Sequence, residues 1–220
     1  MFVGHYSAAL AAKAAEPKAP LWALVAGCQL IDIGWSVLVI AGVERGRVDP
    51  TLPGSALVLD YMPWTHSLPA AIVWSLAAML VAKYFLRLAW PAAIAIALCV
   101  ASHWLLDLAV HRPDLGVYPT GPKVGFALWN YPVIEEAVEI GLVAIAGMVW
   151  TATRVQQGLQ AWPAAAFVTF LVVLQIVGLV LPSAASPSLA GSGPTALAAY
   201  LVAIAIAAII DRGNAKSVQA

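Results

Sequence analysis

The chain has 220 residues, of which 62% are hydrophobic and 10% charged, with a formal net charge of zero and a mean hydropathy of +0.88. Soluble domains carry about a quarter charged residues, so this composition excludes an ordinary soluble protein and specifies an integral membrane one. No basic run is present, which excludes nucleic acid as a partner and leaves membrane lipid as the surrounding medium.

The N-terminal stretch "MFVGHYSAALAAKAAEPKAP" has no basic region ahead of its apolar part, so a cleaved signal peptide is not expected. Residues Phe2 to Ala15 are too few to span a bilayer. They predict a short helix that either lies at the interface or enters halfway as a re-entrant segment. Six runs then reach the roughly 20 residues that a spanning helix needs: 21–43, 67–88, 91–110, 132–151, 162–182 and 194–211. The expected fold is all-α, a polytopic transmembrane helix bundle of about six spans plus the short N-terminal helix. It forms a single domain over 1–220, in which 2–151 carries the polar groups and 152–220 adds two scaffold spans. Cys28 and Cys99 fall in apolar runs and read as buried thiols, not as a disulfide framework.

Two longer loops, about 44–66 and 111–131, carry turn chemistry in "DPTLPG" and "RPDLGVYPTGPKVG". The stretch "LPSAASPSLAGSGPT" reads as a flexible connector. With six spans, Lys13, Lys18, Lys83, Arg87, Arg154, Arg212 and Lys216 share one side. Arg45, Arg47, Arg112 and Lys123 share the other, mixed with Glu44, Asp49, Asp60 and Asp114. The excess of Lys and Arg makes the first side cytoplasmic, N-in and C-in, with both long loops facing outward together.

A charge at mid-bilayer costs at least about 3 kcal/mol, so each one needs a reason. Asp32 sits near the middle of the first span and His66 opens the second. The third closes on "SHWLLDLAVHRPDL", with His103, Asp107 and His111 four residues apart. An i, i+4 pair is offset by about 40° around a helix and about 6 Å along it, so His103 and Asp107 can bind one ion from one face. His111 lies about 12 Å from His103 along the axis, too far to share a mononuclear site unless the helix breaks, and Arg112 before Pro113 favours a break. Asp32, His66, His103 and Asp107 converge in the outer half of the bundle. Imidazole and carboxylate donors suit zinc first, with iron or manganese as alternatives. Plainer readings stand beside this one: His103 as a packing residue, Asp107 held by Arg112, and His111 complementing the helix C-terminus. Glu135 and Glu136 sit at a positive helix end, and Glu139 lies about two turns inside the fourth span. The Trp and Tyr residues near span ends form an interfacial belt.

The set "GHYSAALAAK", "CQLID", "THSL", "SHWLLDLAVHRPDL" and "GPKVGFALWN" resembles a bacterial family of small multi-span proteins. These are the inner-membrane-associated metal-dependent hydrolases also named for LexA binding. The resemblance covers roughly residues 2 to 150, with "THS" and the His-x-x-x-Asp helix its most specific parts. It implies that His5, Asp32, His66, His103 and Asp107 form a metal centre with His111 a neighbour, and that Glu139 is the acid the subgroup places in the fourth span. Family members often carry "PDxD" where this chain has "LIDI", so one carboxylate of the pattern is missing.

These residues predict a hydrolase of the bacterial inner membrane with a divalent transition metal in the outer half of the bundle. Asp107 or Glu139 would act as general base, and the substrate would be lipid-like or amphiphilic. The alternatives are a small ion- or proton-coupled transporter, against which no inverted repeat stands out, and a non-catalytic membrane factor with a structural metal site.

Overall fold

The computed structural model describes residues 1–180 and 189–217. A 3-10 turn (Val3–His5) leads into α1 (Tyr6–Ala15), followed by α2 (Leu21–Cys28) and α3 (Leu30–Ile40). A hairpin of β1 (Arg45–Val48) and β2 (Leu57–Tyr61) precedes α4 (Leu68–Leu80), which ends in one π turn, Val81–Phe85. Next come α5 (Trp90–Val110), the short pair β3 (Leu115–Gly116) and β4 (Lys123–Val124), and a 3-10 turn (Leu128–Asn130). The chain closes with α6 (Pro132–Gln156), α7 (Trp162–Val180) and α8 (Leu189–Ser217). The architecture is a helical bundle in which each of the two long loops folds into a small antiparallel hairpin, a departure from an all-α fold.

Among the described residues, four helices are long and apolar enough to cross a membrane: Leu68–Phe85, Trp90–Val110, Trp162–Val180 and Gly193–Asp211. Their outer surfaces are apolar, with Val73, Leu98, Val180 and Ile209 all exposed. The expected first span is not one helix: α2 and α3 meet at 52°, and the pair makes a fifth span only if counted together. Gln29 at the join leaves helical geometry, with φ −107° and ψ 4°, and such breaks are tolerated at membrane depth where protein surrounds them. The expected fourth span, α6, is 25 residues long, but Glu135, Glu136 and Glu139 in its first turns set it apart from the four. The first eight residues of the "LPSAASPSLAGSGPT" connector, and with them the end of the expected 162–182 span, lie outside the described residues. So do the side chains of Arg212 and Lys216.

The N-terminal helix is the centre of the main core. Val3, Tyr6, Ala9 and Leu10 are fully buried, in one cluster with Leu21, Leu24, Val143, Trp150 and Phe167. Helix α1 packs on α6, α2 and α5, so it is enclosed by helices on several sides. Lys13 is drawn in with it, donating to the Pro17 and Ala19 carbonyls at 2.9 and 2.6 Å and facing Asp211 of α8 at 3.7 Å.

The two long loops pack on each other at one end of the bundle. Arg112 donates to the Ser55 and Pro53 carbonyls (2.9 and 2.7 Å), and Lys123 to Leu59 and Asp60 (2.8 and 3.0 Å). Asp49 starts the first turn by accepting from Thr51 through both backbone N–H (3.0 Å) and hydroxyl (2.6 Å). Helix α5 ends one residue sooner than Pro113 alone requires: His111 is already extended, at φ −62° and ψ 146°. The strand segment after β4 then crosses the helix end so closely that a Cβ on Gly125 would overlap the His111 and Arg112 carbonyl oxygens.

Candidate metal centre

The histidine and aspartate side chains come from four separate pieces of chain. His5 ends the N-terminal 3-10 turn and Asp32 lies in the first turn of α3, just past the bend. His66 precedes the α4 N-cap Ser67, whose hydroxyl accepts from Ala70 N at 3.3 Å. His103 and Asp107 project from α5 one turn apart, and His111 closes that helix. All four histidines of the chain and both aspartates are buried, Asp32 being the most accessible at 9%.

Asp107 stands at the middle of this group. Its Oδ2 lies 3.2 Å from His103 Nε2 and 3.7 Å from His66 Nε2. Asp32 Oδ1 lies 3.4 Å from each of the same two nitrogens. The other oxygen, Oδ1, faces His5 Nε2 at 3.1 Å, His111 Nε2 at 3.6 Å and the Met1 nitrogen at 3.1 Å. The donors therefore fall into two sets that share one carboxylate. This is how His103 and His111, two turns apart on α5, join one cluster: each faces a different oxygen of Asp107.

The separations fit a bound cation. Ligand atoms about 2.1 Å from a tetrahedral ion stand about 3.4 Å from one another. The ligand atoms of Asp32, His66 and His103 all lie within 4.8 Å of one another, as do those of His5, His103 and Asp107. Proton positions agree. His103 Nδ1 donates to the Cys28 carbonyl at 2.8 Å, a carbonyl made available at the bend between α2 and α3. His111 Nδ1 faces Asp114 Oδ1 at 3.0 Å. With Nδ1–H engaged in this way, a neutral imidazole turns a bare Nε2 toward the aspartates. Among the described residues, His103 Nε2 and both nitrogens of His5 have no hydrogen-bond partner although fully buried. Buried polar atoms are normally paired, and a lone pair facing a carboxylate is satisfied by a cation. These buried His/Asp groups can hold a metal ion.

His5 and His103 stack face to face, with centroids 3.7 Å apart and planes within 4°, and both turn Nε2 to the Asp107 carboxylate. Trp129 roofs His111, with ring centroids 4.0 Å apart.

Glu139 is placed differently from the other expected residues. Both its oxygens accept from Phe2 N at 2.9 Å, and Oε2 accepts also from Gly4 N at 2.8 Å. It anchors the N-terminal turn that carries His5. Several contributors carried no functional signal in the sequence. Tyr200 of α8, read as scaffold, donates its hydroxyl to Asp32 Oδ2 at 3.0 Å. Gln175 of α7 donates to Glu136 at 2.7 Å. Glu44 and Thr65 sit behind His66. Tyr200→Phe should leave the fold intact and weaken metal binding about 3- to 10-fold by loosening Asp32, as read by chelator competition. An unchanged affinity would make the contact irrelevant to the site.

Comparison with protein-family models, with curated proteins and with solved structures finds no match to this chain.

Proposed function

We propose that this protein is a membrane-embedded, metal-dependent hydrolase acting on an amphiphilic ester or phosphoester. The observation that carries this is Asp107, whose two oxygens each face histidine Nε2 atoms in a buried polar cluster inside an apolar bundle. Asp32, His66 and His103 would hold a cation in one group and His5, His103 and Asp107 in the other, with His103 common to both and His111 facing Asp107 at the edge. Zinc suits these donors best, with iron or manganese next. When bound, such a cation supplies Lewis acidity and lowers the pKa of water. The chain's own groups do the rest. Cys28 and Asp114 keep two imidazoles in the ligating tautomer, Tyr200 steadies Asp32, and Trp129 and the hairpins exclude bulk water from the cluster.

The likeness of "THSL" and "SHWLLDLAVHRPDL" to the bacterial inner-membrane hydrolases supports the same reading. It also supports the inner membrane as the location, with the Lys13 and Arg154 end cytoplasmic. An amphiphilic substrate is favoured by an apolar groove of about 630 Å³ between α1, α5 and α6, walled by Ala8, Ala11, Leu105, Leu142, Ile145 and Val149. Two of its three hydroxyls are turned back onto their own helices, Ser102 to the Cys99 carbonyl (2.8 Å) and Thr153 to the Val149 carbonyl (3.0 Å). The wall is therefore suited to hydrocarbon.

The test has two parts. Detergent-purified protein supplied with zinc should retain about one to two equivalents after desalting, and melt higher with metal than after chelation. It should then hydrolyse members of a panel of amphiphilic esters and phosphodiesters in a chelator-sensitive manner. Trace metal only would overturn the whole reading. Full metal with no hydrolysis across the panel would leave a structural metal site, and ion flux from reconstituted vesicles would favour a transporter.

A further inference from the structure

Behind His66 lies a second layer of buried groups that touches none of the other donors. Glu44, 1% exposed, follows α3 and points into the turn "PWTHS". Its Oε1 accepts from Trp64 N at 2.8 Å and Thr65 N at 3.0 Å. Its Oε2 accepts from Thr65 Oγ1 at 2.6 Å, the short spacing of a hydroxyl donating to a carboxylate. Thr65 Oγ1 in turn lies 2.8 Å from His66 Nδ1.

The direction of this chain of bonds is fixed by proton counting. A carboxylate can only accept, so the single Thr65 hydroxyl proton is directed to Glu44. What remains on Oγ1 toward His66 is a lone pair, and the 2.8 Å contact requires Nδ1 to carry the proton. His66 is then the Nδ1–H tautomer, and its Nε2 presents a lone pair to Asp32 Oδ1 and Asp107 Oδ2 at 3.4 and 3.7 Å. The Cys28 carbonyl and the Asp114 carboxylate fix His103 and His111 unaided, because both only accept. A hydroxyl can donate or accept. At His66 alone the outcome depends on a further group.

We propose that Glu44 and Thr65 are positioning residues that lock His66 in its ligating tautomer and so set the metal affinity of the Asp32–His66–His103 set. The proposal rests on the metal-binding reading above. It assigns Glu44 a role through two intervening groups, and it separates Thr65 from its place in the turn. Thr65→Val removes only the hydroxyl while leaving both backbone bonds to Glu44.

The experiment is a cobalt(II) titration of the full chain, stripped of metal in detergent, with affinity read by chelator competition and geometry by the visible spectrum. Thr65→Val should weaken cobalt binding about 10- to 100-fold and alter the spectrum, with Thr65→Ser restoring both. Glu44→Gln, which lets the hydroxyl turn its proton toward Nδ1, should fall in the same range. If wild-type protein binds cobalt tightly and Thr65→Val titrates identically, the relay is overturned while the metal reading stands. If wild-type protein binds no cobalt, both fail together. A second measurement needs no variant to fold differently: nitrogen chemical shifts of the labelled imidazole of His66 in metal-free wild-type protein should report Nδ1–H. The Nε2–H form would overturn the proposal.

Discussion

Asp107→Asn is expected to abolish metal binding altogether, the largest effect of any single substitution in this protein. Removal of an outer partner of a metal ligand costs about 10- to 100-fold in affinity. Asp107 faces all four histidines, His66 and His103 through Oδ2 and His5 and His111 through Oδ1, which no other side chain of the cluster does. Its loss removes one charge from the cluster and leaves His5 and His111 with no carboxylate opposite their Nε2 atoms. Neither His103→Ala nor His111→Ala should match it. His103→Ala takes one nitrogen from each group but leaves both aspartates, and His111→Ala removes a single nitrogen facing Oδ1. Metal content by elemental analysis across the three variants orders them. An Asp107→Asn protein that keeps its full complement would show that the cluster is held by hydrogen bonds alone.

Glu139→Gln should come second, through the fold as well as the site. Its carboxylate takes both Phe2 N and Gly4 N at 2.8–2.9 Å, and each hydrogen bond to a charged group contributes about 1.5–3 kcal/mol. An amide would turn an NH₂ toward these N–H donors. Expected results are a loss of about 2–4 kcal/mol in stability, faster proteolysis near residue 5, and loss of metal from the His5 side. The Asp32–His66–His103 set should keep its ion. The opposite pattern, with unchanged melting temperature and metal but no activity, would restore Glu139 as the general base that the sequence suggests.

Much of this architecture is legible in the apolar runs, because a membrane span is coded by length and hydropathy alone. The face carrying His103 and Asp107 is legible too, since i, i+4 spacing fixes it within a single helix. The bend at Gln29 is not: no proline interrupts the run, and what stabilises the break is a contact from His103, 75 residues away. Tyr200 escapes for the same reason, 168 residues from Asp32, in a helix whose sequence reads as scaffold. Glu139 stands out by its depth, but its partners are backbone N–H groups, which leave no trace in a sequence. Glu44 looks like one more loop charge until the turn folds over it. His5 is suggested by the family resemblance alone, because its place depends on α1 being enclosed by the bundle.

That enclosure sets a schedule for synthesis. Residues 2 and 4 are tied to Glu139, 137 and 135 positions later. At about 5–20 residues per second, the first turn waits roughly 7–27 s before the helix that receives it exists. Asp32 waits longer still for Tyr200. During that interval the ribosome has delivered most of the future cluster into the membrane with neither anchor nor roof. The cluster can therefore close only after α6 and α8 have been made, and any metal ion it holds would be taken up by the finished chain.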